Sequence, residues 1–101
     1  MRTAARVDAN QAAVVAGLRR VGATVALTHM IGDGFPDCIA GYRGVNYLLE
    51  IKDENKPPSK RRLTPDEVIW HQNWAGQVTT VKNLDEALLV IGATNKVAAG
   101  K

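Results

Sequence analysis

The chain is poor in several residue types, and each shortage narrows what it can be. Its 101 residues include one cysteine, four prolines, one phenylalanine, two tyrosines and two tryptophans. With Cys38 alone there is no internal disulfide, and its place in "PDCIAG" suits a small buried residue in a reducing compartment rather than a catalytic thiol. Long hydrophobic runs are missing: every apolar stretch stops well short of the roughly 20 residues a membrane span needs. The opening "MRTAARVDAN" lacks the apolar segment of a secretory signal, so a cytoplasmic chain without membrane contact is expected. Internal repeats are absent too. The glycines of "GDGFPDCIAG" follow neither a dinucleotide nor a Walker spacing, which argues against a doubly wound nucleotide fold.

What is present fits one globular domain over 1–101, with an ordered core at about 8–92 and a frayed tail, "ATNKVAAGK", at 93–101. Hydrophobic residues make up 46% and charged residues 23%, enough to bury roughly two thirds of the unfolded surface. The formal net charge is +3, and its distribution says more than its size. Lys56, Lys60, Arg61 and Arg62 cluster beside Pro57, Pro58 and Ser59, a stretch that can neither pack a core nor extend a central strand. It reads as an exposed, mobile basic loop, either a solvated charge run or a phosphate-contacting surface.

Asp8 and Gln11 have the spacing of a capping box, and Val14, Val15, Leu18 and Val21 follow at helical intervals, which predicts a helix over 9–21. "ATVALTHM" reads as a strand and "IGDGF" as turn chemistry. "PDCIAGY" and "VNYLLEIK" read as a hairpin turning near Tyr42 and Arg43. Thr64, Pro65 and Glu67 supply a cap, a first-turn proline and a capping-box glutamate for a helix over 65–75. "QVTTVKN" gives a fourth strand, and Asn83 with Glu86 starts a last helix, "LDEALLVIG". The order α-β-β-β-α-β-α is that of a small α/β domain around a mixed sheet.

Chemistry concentrates around Asp37, Glu50 and Lys52. Side chains alternate along a strand, so Glu50 and Lys52 share a face with Leu48 while Leu49 and Ile51 take the other. Hairpin registers that pair Asp37 with Leu48 or Glu50 put its carboxylate on that same face, and a slip of one residue would remove it. Two carboxylates so close repel unless one keeps its proton or a divalent cation sits between them. Oxygen ligands of this kind suit Mg²⁺ or Mn²⁺, and an ammonium two residues on can orient or help deprotonate an attacking water and stabilise charge on a phosphate.

The segment "FPDCIAGYRGVNYLLEIK" resembles the Pro-Asp…Glu-x-Lys signature of the PD-(D/E)XK nucleases. Its surroundings, from "DANQAAVVAGLRRVGA" through "PPSKRRLTPDEVIWHQNW" to "VTTVKNLDEAL", are most similar to small phage and bacterial proteins of the VRR-NUC group. The resemblance implies a restriction-endonuclease-like core, a four-stranded mixed sheet flanked by helices. It further implies metal-dependent phosphodiester hydrolysis, with Asp37 and Glu50 as ligands, the Ile51 carbonyl as a backbone ligand and Lys52 near the water. The chain departs from the family at two positions. Gln11 stands where the first helix commonly carries a metal-facing glutamate, and Glu67 where the second often carries glutamine. Glu67 either compensates for Gln11 or serves as a cap.

His71 and His29 are each read first as surface or satisfied histidines, and Asp33 as a turn residue. Trp70 and Trp74 share a helical stripe that points to core or dimer packing. Tyr42 and Arg43 at the hairpin tip are candidate nucleic-acid contacts. The expected function is a DNA endonuclease acting on branched or junction DNA as a homodimer, with Lys56, Lys60, Arg61 and Arg62 on backbone phosphates. A catalytically weak DNA-binding protein that keeps the fold is the alternative, and a plain α/β module with no nucleic-acid role is the third reading.

Overall fold

The structure, a computed structural model, describes residues 7–93. Most of the tail expected to fray therefore lies outside the described residues; Ala93 itself packs on the core and bonds through its N–H to the Leu88 carbonyl.

Helix α1, Gln11–Arg20, forms because Val14, Val15 and Leu18 fall on one stripe and bury it against the sheet. Its start differs from the capping box expected from Asp8 and Gln11. Asn10 is the N-cap, without a side-chain cap bond, and Asp8 lends only its carbonyl to the Gln11 N–H. The Asp8 carboxylate pairs instead with Lys56 Nζ at 2.6 Å, 48 positions along the chain. A charged tertiary partner outcompetes a local cap.

Strand β1, Thr24–Leu27, is shorter than its apolar sequence implies. The Thr28 N–H and hydroxyl donate to the carbonyls of Asp37 and Pro36, at 2.8 and 2.7 Å, and His29–Ile31 turns away as a 3-10 segment. Strands β2, Cys38–Tyr42, and β3, Val45–Ile51, form the expected hairpin, closed at the pair Tyr42 and Val45. Its two turn residues, Arg43 at φ 52° and Gly44 at φ 82°, are both left-handed, as a two-residue turn that matches strand twist requires. Helix α2, Pro65–Asn73, then crosses over to β4, Thr79–Val81, which runs parallel to β3. Helix α3, Leu84–Ile91, closes the fold. The sheet order is β1-β2-β3-β4, so the domain is a four-stranded mixed sheet with three helices. Where β4 has not yet begun, the side-chain amide of Gln77 stands in for backbone and exchanges two hydrogen bonds with Leu48, at 2.7 and 2.9 Å.

The core lies on one face of the sheet, where Cys38, Ala40, Leu49, Ile51 and Val81 meet α1 and Ala87 and Ile91 of α3. Helix α2 contributes only Glu67 to the interior, and Ile39 and Leu48 on the other face stay half-buried. The loop ahead of β2 docks α2: Gly32, Asp33 and Gly34 are all left-handed, and a Cβ on Gly34 would overlap the Asp66 carbonyl. Gly34→Ala combines a conformational penalty with a backbone collision, and it should destabilise the protein by about 2–4 kcal/mol in a denaturant titration. A loss below about 0.5 kcal/mol would mean that this contact is not holding α2.

Candidate active site

The hairpin register pairs Cys38 with Leu49, which puts Asp37, one residue before β2, level with Glu50. The Asp37 N–H bonds the Leu49 carbonyl at 3.0 Å, and its Oδ2 accepts from the Ile51 N–H at 2.7 Å. Both acids are almost fully buried, Asp37 at 3% exposure and Glu50 at 2%. Burial, reinforced by the Asp37 and Glu67 charges, pushes the Glu50 pKa up to about 10. Asp37 is raised as well, mainly by burial, although the Ile51 N–H works in the other direction. Burial and the mutual repulsion of the two acids both favour a proton on the pair.

Lys52, directly after β3, sits between two carboxylates: its Nζ donates to Glu67 Oε1 at 2.8 Å and lies 3.5 Å from Glu50 Oε2. Burial opposes the ammonium, but the hydrogen bond and charge of Glu67, with Glu50, outweigh it and raise the Lys52 pKa. Burial likewise opposes the Glu67 charge, and Lys52 overcomes it to hold Glu67 below the usual carboxylate range. The same Glu67 Oε1 accepts from the Thr64 N–H at 2.8 Å while Thr64 Oγ1 accepts from the Glu67 N–H. This is the expected capping box. One carboxylate thus ties the first turn of α2 to Lys52.

Gln11 lies inside at 4% exposure rather than at a helix cap, with its Nε2 3.4 Å from His29 Nδ1. Asn10, which sequence reasoning passed over, bridges two strands' ends: its Nδ2 donates to the carbonyls of Lys52 and Lys82, both at 3.0 Å. Its position just before a helix gives no hint of this, because both partners are far along the chain. Three buried acceptor oxygens, Asn10 Oδ1, Gln11 Oε1 and Glu50 Oε1, have no hydrogen-bond partner among the described residues.

The other residues singled out from sequence are dispersed. His71 is one helical turn beyond Glu67, with a buried, unpartnered Nε2 and a pKa lowered by burial. Trp70 stacks on Trp74 at 4.6 Å and meets Phe35 edge-on at 5.2 Å, but the pair lies outside the hydrophobic core, and Trp74 is half-exposed just past the helix end rather than on its stripe. Asp33 is a turn residue lining a cavity with Asp66, Trp70 and Trp74. Tyr42 and Arg43 lie at the far end of β2 from Asp37, roughly 20 Å along an extended strand. In the basic loop Pro58–Lys60 is a 3-10 turn and Lys56 is committed to Asp8. Lys60 and Arg62 are exposed, and Arg61 is partly buried. Burial holds the Cys38 thiol protonated, with its pKa pushed up to about 12, which removes it as a nucleophile.

Among the described residues no group of three or more His, Cys, Asp or Glu side chains is arranged to hold a metal. Two carboxylates do fit a hard cation that keeps most of its waters, the manner in which Mg²⁺ binds. The raised Asp37 and Glu50 pKa values and the donorless Glu50 oxygen are what such an ion would relieve.

No protein-family model and no curated protein matches the chain. Among solved structures a VRR_NUC domain matches it with a TM-score of 0.57 and 24% identity, over 79% of this chain and 89% of that one. The chain thus shares the fold of that VRR_NUC domain. No helix among the described residues is long and apolar enough to cross a membrane.

Proposed function

We propose that this chain, built on a VRR-NUC-like nuclease fold, is a divalent-metal-dependent endonuclease that hydrolyses DNA phosphodiester bonds. The observation that carries the reading is the buried meeting of Asp37 and Glu50 with the Lys52 ammonium at 3.5 Å from Glu50. A structural role alone gives no reason to bury two mutually repelling acids beside a lysine that a third acid must hold in place.

Asp37 and Glu50 would hold Mg²⁺ or Mn²⁺. The Ile51 carbonyl is a further oxygen, because a strand residue directs its N–H and carbonyl to the same side and the Ile51 N–H already meets Asp37. A cation bound there supplies polarisation of a phosphate oxygen and a water of lowered pKa. Lys52, kept charged by Glu67, faces the reacting phosphate as a fixed positive group and stabilises negative charge that grows on it. Glu67 acts through Lys52 as a positioning residue. Lys60, Arg61 and Arg62, on the loop between Lys52 and α2, bind backbone phosphates, which carry little base information. Recognition of branched or junction shape is the reading this favours. The exposed apolar side chains of Val68 and Ile69 on α2, with Trp74 just after it, supply the surface for a homodimer with two sites, which sedimentation equilibrium would check.

The test is cleavage of labelled linear, flapped and four-way-junction DNA with Mg²⁺, Mn²⁺ or chelator, for wild type and Asp37→Ala. Metal-dependent products lost in the variant are expected. Gln11 in place of a carboxylate is the observation that favours the second reading, a DNA-binding protein without cleavage. Chelator-indifferent binding with no product from any substrate would select it.

For the loop, the double variant Lys60→Ala, Arg62→Ala should weaken binding to all DNA shapes alike. It should flatten the slope of log affinity against log salt by about 2, near 0.9 per lost phosphate contact. An unchanged slope would show that the DNA lies elsewhere.

A further inference from the structure

We infer that His29 is a positioning residue for the cation site, acting through Gln11: its imidazole decides which end of the Gln11 side-chain amide faces the carboxylates. The inference rests on the metal-site reading above and concerns a contact which that reading does not use. A side-chain amide has one acceptor end and one donor end, and only the acceptor end serves a cation. Gln11 Nε2 lies 3.4 Å from His29 Nδ1, a contact in which the amide donates and the ring nitrogen accepts. With its nitrogen held there, the Gln11 oxygen is turned the other way, buried and with no partner among the described residues.

The sequence neighbours of Gln11 and His29 tie both residues to the segments that carry the acids. Asn10, the preceding residue, bonds the Lys52 carbonyl at 3.0 Å, and Thr28, beside His29, bonds the Asp37 carbonyl at 2.8 Å. Gln11 thus follows a residue bonded to the Lys52 backbone, and His29 follows one bonded to the Asp37 backbone. The Oδ1 of Asn10 is likewise a buried acceptor lacking a donor. A cation satisfies acceptors and asks for no donor. A carboxylate at position 11 would need no orienting, since both its ends accept. His29 matters because residue 11 is an amide.

The experiment is calorimetric titration of chelator-treated protein with Mn²⁺, without DNA, on wild type, His29→Phe, Gln11→Glu and the double variant. Phenylalanine keeps the ring and removes the acceptor, and thermal unfolding of each variant checks the fold. His29→Phe should weaken Mn²⁺ binding about tenfold, the low end of what partners of metal ligands contribute. Gln11→Glu should bind more tightly than wild type, and adding His29→Phe to it should change nothing. His29→Asn, which offers an acceptor oxygen, should recover part of the loss. Wild-type affinity in His29→Phe, or the same loss in both backgrounds, would overturn the inference while leaving the metal site intact. If neither wild type nor Gln11→Glu takes up Mn²⁺, the metal reading itself falls and the inference with it.

Discussion

Glu50→Gln should make the metal-free protein more stable than wild type at pH 7 to 9 while removing cleavage. The Glu50 pKa rises from an ordinary 4.5 to about 10 on folding, mainly through burial. Below about pH 4.5 the carboxyl is protonated in both states and folding loses nothing by it. Above that the unfolded chain releases the proton and the folded chain keeps it, so stability falls as pH climbs toward the folded value. At 1.36 kcal/mol per unit, the penalty has a ceiling of about 3 kcal/mol at pH 7, and the amide, isosteric and neutral, escapes it. A gain of roughly 1–3 kcal/mol corresponds to several degrees in Tm for a domain of this size. At pH 4 the two proteins should melt together. Saturating Mn²⁺ should reverse the ranking, because a ligand that binds only the folded state stabilises wild type and not the variant. A metal-free Glu50→Gln that melts below wild type at pH 8 would mean that Glu50 is not held against its ionisation. Cleavage retained within tenfold would remove Glu50 from the site.

The second large effect is expected at Lys52. Lys52→Met leaves the Glu67 carboxylate without its cation, with that side chain almost fully enclosed. Breaking a buried pair from one side costs about 3–5 kcal/mol. Adding Glu67→Gln should return most of that stability, since a neutral amide can remain beside methionine, yet return none of the cleavage. The single variant Glu67→Gln should cut turnover through Lys52 while sparing Mn²⁺ affinity; lost affinity would instead make Glu67 a ligand. The pair also sets a pH window. Glu67, depressed on folding, contributes above its unfolded value near 4.5 and loses that as pH falls through the folded one. Lys52, raised from 10.5, contributes below that value and loses it only at more alkaline pH. Stabilities that add across the double-mutant cycle would show that the two groups do not interact.

Features set by near neighbours were legible in the sequence. The hairpin follows from a two-residue turn between alternating strands, and through its register so does the meeting of Asp37 with Glu50. The capping box of α2 follows from Thr64, Pro65 and Glu67. Features set by distant partners were not. Asp8 looked like a cap and is a counter-ion for Lys56; Gln11 looked like its capping-box mate and is buried against His29. Asn10 and Gln77 each satisfy backbone groups that lie 29 or more positions away. Glu67 shows why one residue can support two sequence readings: its Oε1 serves the cap and Lys52 at once.

The two-residue turn at Arg43 and Gly44 also has a bearing on the order of events during folding. A tight hairpin closes in microseconds, whereas the parallel pairing of β3 with β4 waits for the whole crossover, including α2, to be drawn together. The fast piece carries Asp37 to Glu50, and the slow piece delivers Glu67 to Lys52. The acidic pair is thus expected to assemble early, and the group that steadies its lysine late. The acidity of the medium would then act on the chain while it is still half-made, before its lysine is in place.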